Sequence, residues 1–190
     1  MFVLTADQHG SRTGSDLVPD ALDAIARIAG SQLMLAPERT AGDEVQALVA
    51  DSTTALTVAL ALTRSGRWSV GIGTGTVETP LPDSVRAGRG AAFVGAREAV
   101  ERAKRAATRI GVSDPDAEAL VRLLVELRDR RTTEGWEAYD LLAQGMTQRD
   151  AAAELGISEG AVSRRVSAAG IRSEEAALPA LARILDAAQG

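Results

Sequence analysis

The sequence predicts an α+β fold in which a half built from alternating strands and helices precedes an all-helical half. Short apolar runs alternate with helical periodicity over residues 1–107, whereas helical periodicity alone continues from residue 114 onward. Two short helical stretches also flank Gly156, and each follows a hydroxyl residue suited to cap it, Thr147 or Ser158. We therefore expect an α/β domain over residues 1–110 and a helical domain over residues 111–190.

The first domain is expected to follow the order β-α-β-β-α-β-α. Apolar runs predict strands over residues 2–4, 32–36, 44–49 and 68–73, and helical spacing predicts helices over residues 18–28, 52–64 and 90–107. This order is that of the split βαβ, or ferredoxin-like, fold. Gly71, Gly73 and Gly75 precede a proline-containing loop rather than a helix, so they indicate close packing or strand curvature instead of a dinucleotide site.

The second domain is expected to contain helices only. Ser113 or Asp114 caps a helix over residues 115–128, and a second helix covers residues 132–144. The paired short helices form a helix-turn-helix over residues 147–169. A last amphipathic helix is predicted over residues 174–188, with Pro179 as an alternative start.

Composition narrows the classes of function. The chain has no cysteine and a single histidine, His9, which excludes disulfides, thiolate chemistry and multi-histidine zinc sites. No apolar run approaches the ~20 residues of a membrane helix, so we expect a soluble cytoplasmic protein without membrane partners. The net charge of −5 argues against non-specific coating of nucleic acid, and DNA binding would need a local arginine cluster, doubled by dimerisation.

Two carboxylates fall at notable places in the first domain. Asp7 lies at the end of the first strand and Asp43 lies at the tip of the central hairpin. Because the first and third strands of a ferredoxin-like sheet are neighbours, the two carboxylates can approach each other and offer hard oxygen ligands to Mg²⁺ with a triphosphate. The segment from His9 to Ser11 could offer backbone N–H groups to a phosphate. The alternative is structural, with Asp7 as a helix cap and Asp43 as a turn former.

Four short segments follow one another in residues 1–107. They are Thr5-Ala6-Asp7 with Ser11, then Thr40-Ala41-Gly42-Asp43-Glu44-Val45-Gln46, then residues 67–75, and then Gly90-Ala91-Ala92-Phe93 with Ala96-Arg97-Glu98-Ala99. In this order they resemble the SatD family and, more distantly, the catalytic domain of class III nucleotidyl cyclases.

This resemblance implies a cyclase-like domain with an altered site, which either holds a nucleotide or keeps only the shape of the fold. Asp7 and Asp43 match the metal-binding aspartates, Arg97 matches the transition-state arginine, and Arg39 falls near the base-recognition lysine. Phe93 stands at the position of the transition-state asparagine and can make none of its hydrogen bonds, so ordinary cyclisation is not expected. The cyclases build their sites across a head-to-tail dimer, which implies a homodimer here.

The helix-turn-helix pattern predicts contacts to double-stranded DNA. Its second helix offers base-edge and phosphate contacts, and the start of its first helix offers phosphate contacts. The candidate DNA-binding residues are Thr147, Gln148, Arg149, Ser158, Glu159, Gly160, Ser163, Arg164, Arg165 and Ser167. The alternative is a helical hairpin used only for packing or dimerisation.

The sequence therefore favours a dimeric transcriptional regulator that binds DNA through its helix-turn-helix. The first domain would supply dimerisation and a nucleotide-sensing site formed by Ser11, Arg39 and Arg97 beside the metal-binding Asp7 and Asp43. The rival interpretation is a Mg²⁺-dependent nucleotide-binding or phosphoryl-transfer enzyme that uses the same two aspartates.

Overall fold

A computed structural model describes residues 1–11 and 14–189, and within them the chain combines a five-stranded mixed sheet with eight α-helices. The chain divides into two compact units. One comprises Met1–Val125 with Pro179–Gly190, and the other comprises Glu126–Leu178. None of the described helices is long and apolar enough to cross a membrane.

The sheet has the strand order β2-β3-β1-β4-β5. Its strands are β1 (Phe2–Gln8), β2 (Leu33–Arg39), β3 (Glu44–Val49), β4 (Trp68–Gly73) and β5 (Ile110–Val112). Strand β1 lies between β3 and β4 and is antiparallel to both, whereas β5 is parallel to β4. The first and third strands are thus neighbours, and Asp7 lies opposite Glu44 at the start of β3.

Three helices cover the sheet of this unit: α1 (Val18–Ala29), α2 (Ser52–Thr63) and α3 (Ala91–Ala103). Every residue of β4 is buried, and α3 packs against this strand. A Cβ at Gly73 would lie 1.9 Å from the carbonyl oxygen of Ala92 and 2.6 Å from the amide nitrogen of Ala96. The glycines of β4 therefore permit close helix–strand packing, as the sequence predicts.

The second unit is built around α5 (Thr133–Ala143), α6 (Gln148–Leu155) and α7 (Glu159–Ala168). Its core is aliphatic and small, and consists of Ala138, Ala151, Ala152, Val162, Val166, Ala169 and Ile171. Two longer helices, α4 (Pro115–Asp129) and α8 (Ile171–Ala187), each begin in one unit and end in the other.

Three features differ from the sequence-based expectations. Residues 110–112, expected in the joint between domains, form β5, because a three-residue strand containing Gly111 gives almost no periodic signal. Helix α3 ends at Ala103 rather than near residue 107. Helix α8 begins at Ile171 and contains Pro179, so the alternative start at Pro179 is wrong. The early start follows from Glu174, whose buried ion pairs hold the first turns of α8 in place.

The contact between β4 and α3 can be tested by adding one methyl group. We expect Gly73→Ala to destabilise the protein by roughly 1–3 kcal/mol or more, because the new Cβ would overlap the α3 backbone. Urea denaturation would measure the change. Gly160→Ala is the matched control, since the only atom near its Cβ is an arginine terminus 3.8 Å away. Equal stability of the two variants would contradict the close packing.

Candidate nucleic-acid interface and ligand cavity

The start of α6 is fixed by a reciprocal cap. The Thr147 hydroxyl accepts a hydrogen bond from the Asp150 backbone N–H, and the Asp150 carboxylate accepts one from the Thr147 backbone N–H, both at 3.2 Å. Hydrogen bonds from the Thr147 side chain and backbone lower the pKa of Asp150. This capping box satisfies otherwise unpaired N–H groups and confirms Thr147 as the predicted cap.

The turn between α6 and α7 depends on Gly156. This residue adopts a left-handed conformation, with φ 65° and ψ 31°, that side chains disfavour. Two residues later, the Ser158 hydroxyl accepts a hydrogen bond from the Ala161 backbone N–H at 3.2 Å and caps α7. The turn and both caps are therefore confirmed as the sequence predicts them.

Helix α7 separates its residues cleanly into two faces. Val162 and Val166 are buried in the core of the unit. The outward residues are exposed, and they comprise Ser158, Glu159, Gly160, Ser163, Arg164 and Ser167. Thr147 and Arg149, at the start of α6, are also exposed, whereas Gln148 is half-buried. Eight of the ten predicted DNA-binding residues are therefore exposed to a partner, whereas Gln148 and Arg165 are half-buried.

Arg165 is the exception among the predicted contacts. Its guanidinium Nη1 lies 2.9 Å from the Glu137 carboxylate on α5, and its side chain is only 26% exposed. Arg164 has no carboxylate partner within the described residues. The adjacent arginines thus differ in role, because Arg165 joins α7 to α5 whereas Arg164 remains available to a ligand.

A buried ion-pair network, which sequence reasoning missed, supports this unit. Arg128 and Arg131 both pair with the carboxylate of Glu174, and all three side chains are buried. Each guanidinium lies 4.9 Å from the centre of the Trp136 ring, and Arg131 Nε donates to the Ala169 carbonyl oxygen at 2.7 Å. The partners lie 43 and 46 residues apart, so no local spacing signals them. We call Arg128, Arg131 and Glu174 the Glu174 network.

In the α/β unit, Asp7 and Asp43 line one open cavity of about 680 Å³. The Gln8 backbone N–H donates to the Asp43 carbonyl oxygen at 3.1 Å, which brings the hairpin tip to the end of β1. The Ser11 hydroxyl donates to the Asp43 carboxylate, and Arg39 also lines the cavity. The predicted ligand residue Arg97 is exposed on α3 and is not among the lining residues.

The chain's only lysine, Lys104, enters the same cavity and was missed as a site residue. Its ammonium lies 3.0 Å from the Asp7 carboxylate and 2.7 Å from that of Glu101. Partial burial disfavours the charged form, but the hydrogen bonds to Glu101 and Asp7 outweigh it and raise the pKa of Lys104. No local spacing signals this ion pair, because Asp7 and Lys104 lie far apart along the chain.

These contacts bear on whether the cavity suits a divalent cation. The Lys104 ammonium stands against the Asp7 oxygen that a cation would use, and Asp43 already accepts a hydrogen bond from Ser11. Among residues 1–11 and 14–189, no three carboxylate or imidazole side chains are grouped as metal ligands would be. As arranged, the donor set therefore does not fit a resident Mg²⁺, and metal binding at Asp7 and Asp43 stays a prediction.

Comparison of the chain with protein-family models, with curated proteins and with solved structures finds no match.

Metal binding at Asp7 and Asp43 can be tested directly, because Lys104 and a bound cation would compete for the Asp7 carboxylate. We expect Lys104→Met to tighten Mn²⁺ binding by roughly tenfold or more, because it removes a positive charge next to the Asp7 carboxylate. Isothermal titration with Mn²⁺ would measure the change, and Arg105→Met, at the exposed neighbouring position, is the control. Equal affinity in all three proteins, or binding in none, would contradict the metal prediction for Asp7 and Asp43.

Proposed function

We propose that the protein is a cytoplasmic, homodimeric transcriptional regulator that binds specific double-stranded DNA sites through α7. The observation that carries this proposal is the exposed, capped face of α7, on which Gly160 and Arg164 point outward while Arg165 is held by Glu137. A face used only for packing would be apolar, whereas this one carries serines, a glycine and an arginine without a carboxylate partner in the described chain.

The chemistry of this face suits the major groove. The groove is about 12 Å wide and admits a single helix, and an arginine can donate two hydrogen bonds to the O6 and N7 atoms of guanine. Arg164 is placed for such a contact, and Gly160 leaves room for the helix backbone to approach the bases. Thr147 and Arg149 lie at the start of α6, where they can contact phosphates on one side of the groove.

The negative net charge of the chain limits its non-specific attraction to DNA. Residues 126–178 contain seven arginines and ten acidic residues, a net charge of −3. Non-specific attraction to the phosphate backbone is therefore weak, and affinity must come from a few placed contacts repeated in a dimer. Two α7 helices related by two-fold symmetry would bind half-sites about one helical turn apart.

We further propose that the α/β unit is a cyclase-like variant of the ferredoxin-like fold that supplies dimerisation and senses a nucleotide. The antiparallel order β2-β3-β1-β4 supports this assignment, and β5 would be an addition to it. The cavity beside Asp7 and Asp43 supports a ligand site.

The same carboxylate pair favours the alternative, a Mg²⁺-dependent phosphoryl-transfer enzyme. Two observations weigh against it, namely the Lys104–Asp7 ion pair and the burial of Phe93, which packs against Gly88 rather than lining the cavity. Turnover of a nucleoside triphosphate with Mg²⁺, abolished by Asp7→Asn, would favour the enzyme.

Recovery of DNA from a genomic mixture tests the proposed function. We expect the purified chain, mixed with sheared genomic DNA at about 150 mM salt, to retain fragments that share a two-fold related motif. Sequencing of the retained and input DNA would measure the enrichment. Retained DNA with the same composition as the input would contradict specific binding and leave α6 and α7 as packing elements.

The two neighbouring arginines give a finer test on the recovered site. We expect Arg164→Ala to weaken binding by roughly 1–3 kcal/mol for each half-site and to relax the preference at one base pair of each half-site. Arg165→Ala should cost less, since Arg165 is already paired with Glu137. Fluorescence anisotropy with the recovered duplex and its single-base variants would measure both. Unchanged affinity in both variants would remove α7 as the DNA-contacting helix.

A further inference from the structure

The helical unit contains a second polar feature, a cleft of about 260 Å³ lined by three arginines and by no acidic residue. The arginines are Arg130, Arg164 and Arg165, and the rest of the lining is Thr132 with small residues of α5 and α7. We call it the arginine cleft. A cavity whose only charged lining side chains are cationic is electrostatically suited to an anion.

The position of Arg130 at this cleft is fixed by the adjacent residue, Arg131. Arg130 lies in the short connection between α4 and α5, next to Arg131. Arg131 is anchored by Glu174 and by its hydrogen bond to the Ala169 carbonyl oxygen just after α7. A Cβ at Gly135 would lie 3.0 Å from the Ala169 side chain, so the start of α5 also packs tightly against this end of α7. The position of Arg130 beside α7 is therefore built into the unit.

The charges of the arginine cleft are only partly compensated. Glu137 pairs with Arg165, but neither Arg130 nor Arg164 has a carboxylate partner within residues 1–11 and 14–189. Two guanidinium groups facing one cavity repel each other, and an anion between them would relieve that repulsion. Guanidinium groups also match the geometry of phosphate oxygens better than any other side chain.

We propose that the arginine cleft binds one phosphate of the DNA backbone, with Arg130 as a contact that lies outside the two-helix motif. The proposal rests on the proposed function, because Arg164 both borders the cleft and stands on the exposed face of α7. A phosphate seated there would lie beside the bases that α7 contacts. Such contacts fix the register of a protein on DNA without carrying sequence information.

The salt dependence of DNA binding tests this assignment in the full-length chain. Each phosphate neutralised contributes about 0.9 to the slope of log affinity against log salt concentration. Because the proposed homodimer carries two arginine clefts, we expect Arg130→Gln to reduce the slope by about 1.8 between roughly 50 and 200 mM salt. Binding should weaken by the same factor on the recovered duplex and on a scrambled duplex. Arg130→Lys, which retains the charge, should keep most of the slope.

Arg183→Gln is the matched control, because it removes one exposed arginine from the part of α8 that belongs to the other unit. Its slope should equal that of the unsubstituted chain, and thermal melting would verify that each variant is folded. If the unsubstituted chain binds its site specifically but Arg130→Gln leaves the slope unchanged, only the assignment of the arginine cleft is wrong. If the unsubstituted chain binds no DNA site specifically, both the proposed function and the assignment of the arginine cleft are wrong.

Titration with pyrophosphate distinguishes two possible ligands of the arginine cleft, a phosphate of the DNA backbone and a free anion. If pyrophosphate binds, if Arg130→Gln abolishes that binding, and if the DNA slope stays unchanged, the arginine cleft takes a small anionic ligand and the backbone assignment is wrong. A reduced DNA slope supports the backbone assignment whether or not pyrophosphate binds.

Discussion

The helical unit depends on the burial of one carboxylate, that of Glu174. Two buried arginines share it, and a buried charge is tolerated only when it is paired and hydrogen-bonded. Through Arg131 the same network reaches the carbonyl oxygen of Ala169 at the end of α7. The network therefore fixes the connection before α5, the end of α7 and the first turn of α8 relative to one another. The exposed face of α7 and the arginine cleft both take their geometry from this constraint.

The chain has a net charge of −5, and the arginines of its helical unit lie in different environments. Arg128 and Arg131 are used inside the unit, Arg165 joins two helices, and Arg130 and Arg164 are left without a carboxylate at one surface. In the α/β unit the only lysine is held by Asp7 and Glu101. Local arrangement, rather than net charge, therefore supports the proposed partners, because Arg130 and Arg164 line one cleft beside the exposed face of α7.

Local signals in the sequence predict local structure well. Thr147, Gly156 and Ser158 mark the two helices and their turn because capping and left-handed turns depend on residues next to each other. Local signals do not predict contacts between residues that lie far apart in the sequence. Lys104 pairs with Asp7 across 97 positions, and Arg131 pairs with Glu174 across 43. Spacing carries no record of such contacts, so the Glu174 network, the lysine in the cavity and the separation of Arg164 from Arg165 emerge only from the fold. The sequence does not predict strand β5 for another reason, because three residues are too few to show a periodic pattern.

The most direct measurement is to map the DNA interface on the full-length chain by amide chemical-shift perturbation, with a duplex recovered from genomic DNA. We expect perturbations at residues 158–167, at the capped start of α6 and at Arg130, with the buried face of α7 changing least. Perturbations confined to the α/β unit, or none at a duplex concentration that saturates binding, would contradict the assignment of α7 as the DNA-binding helix.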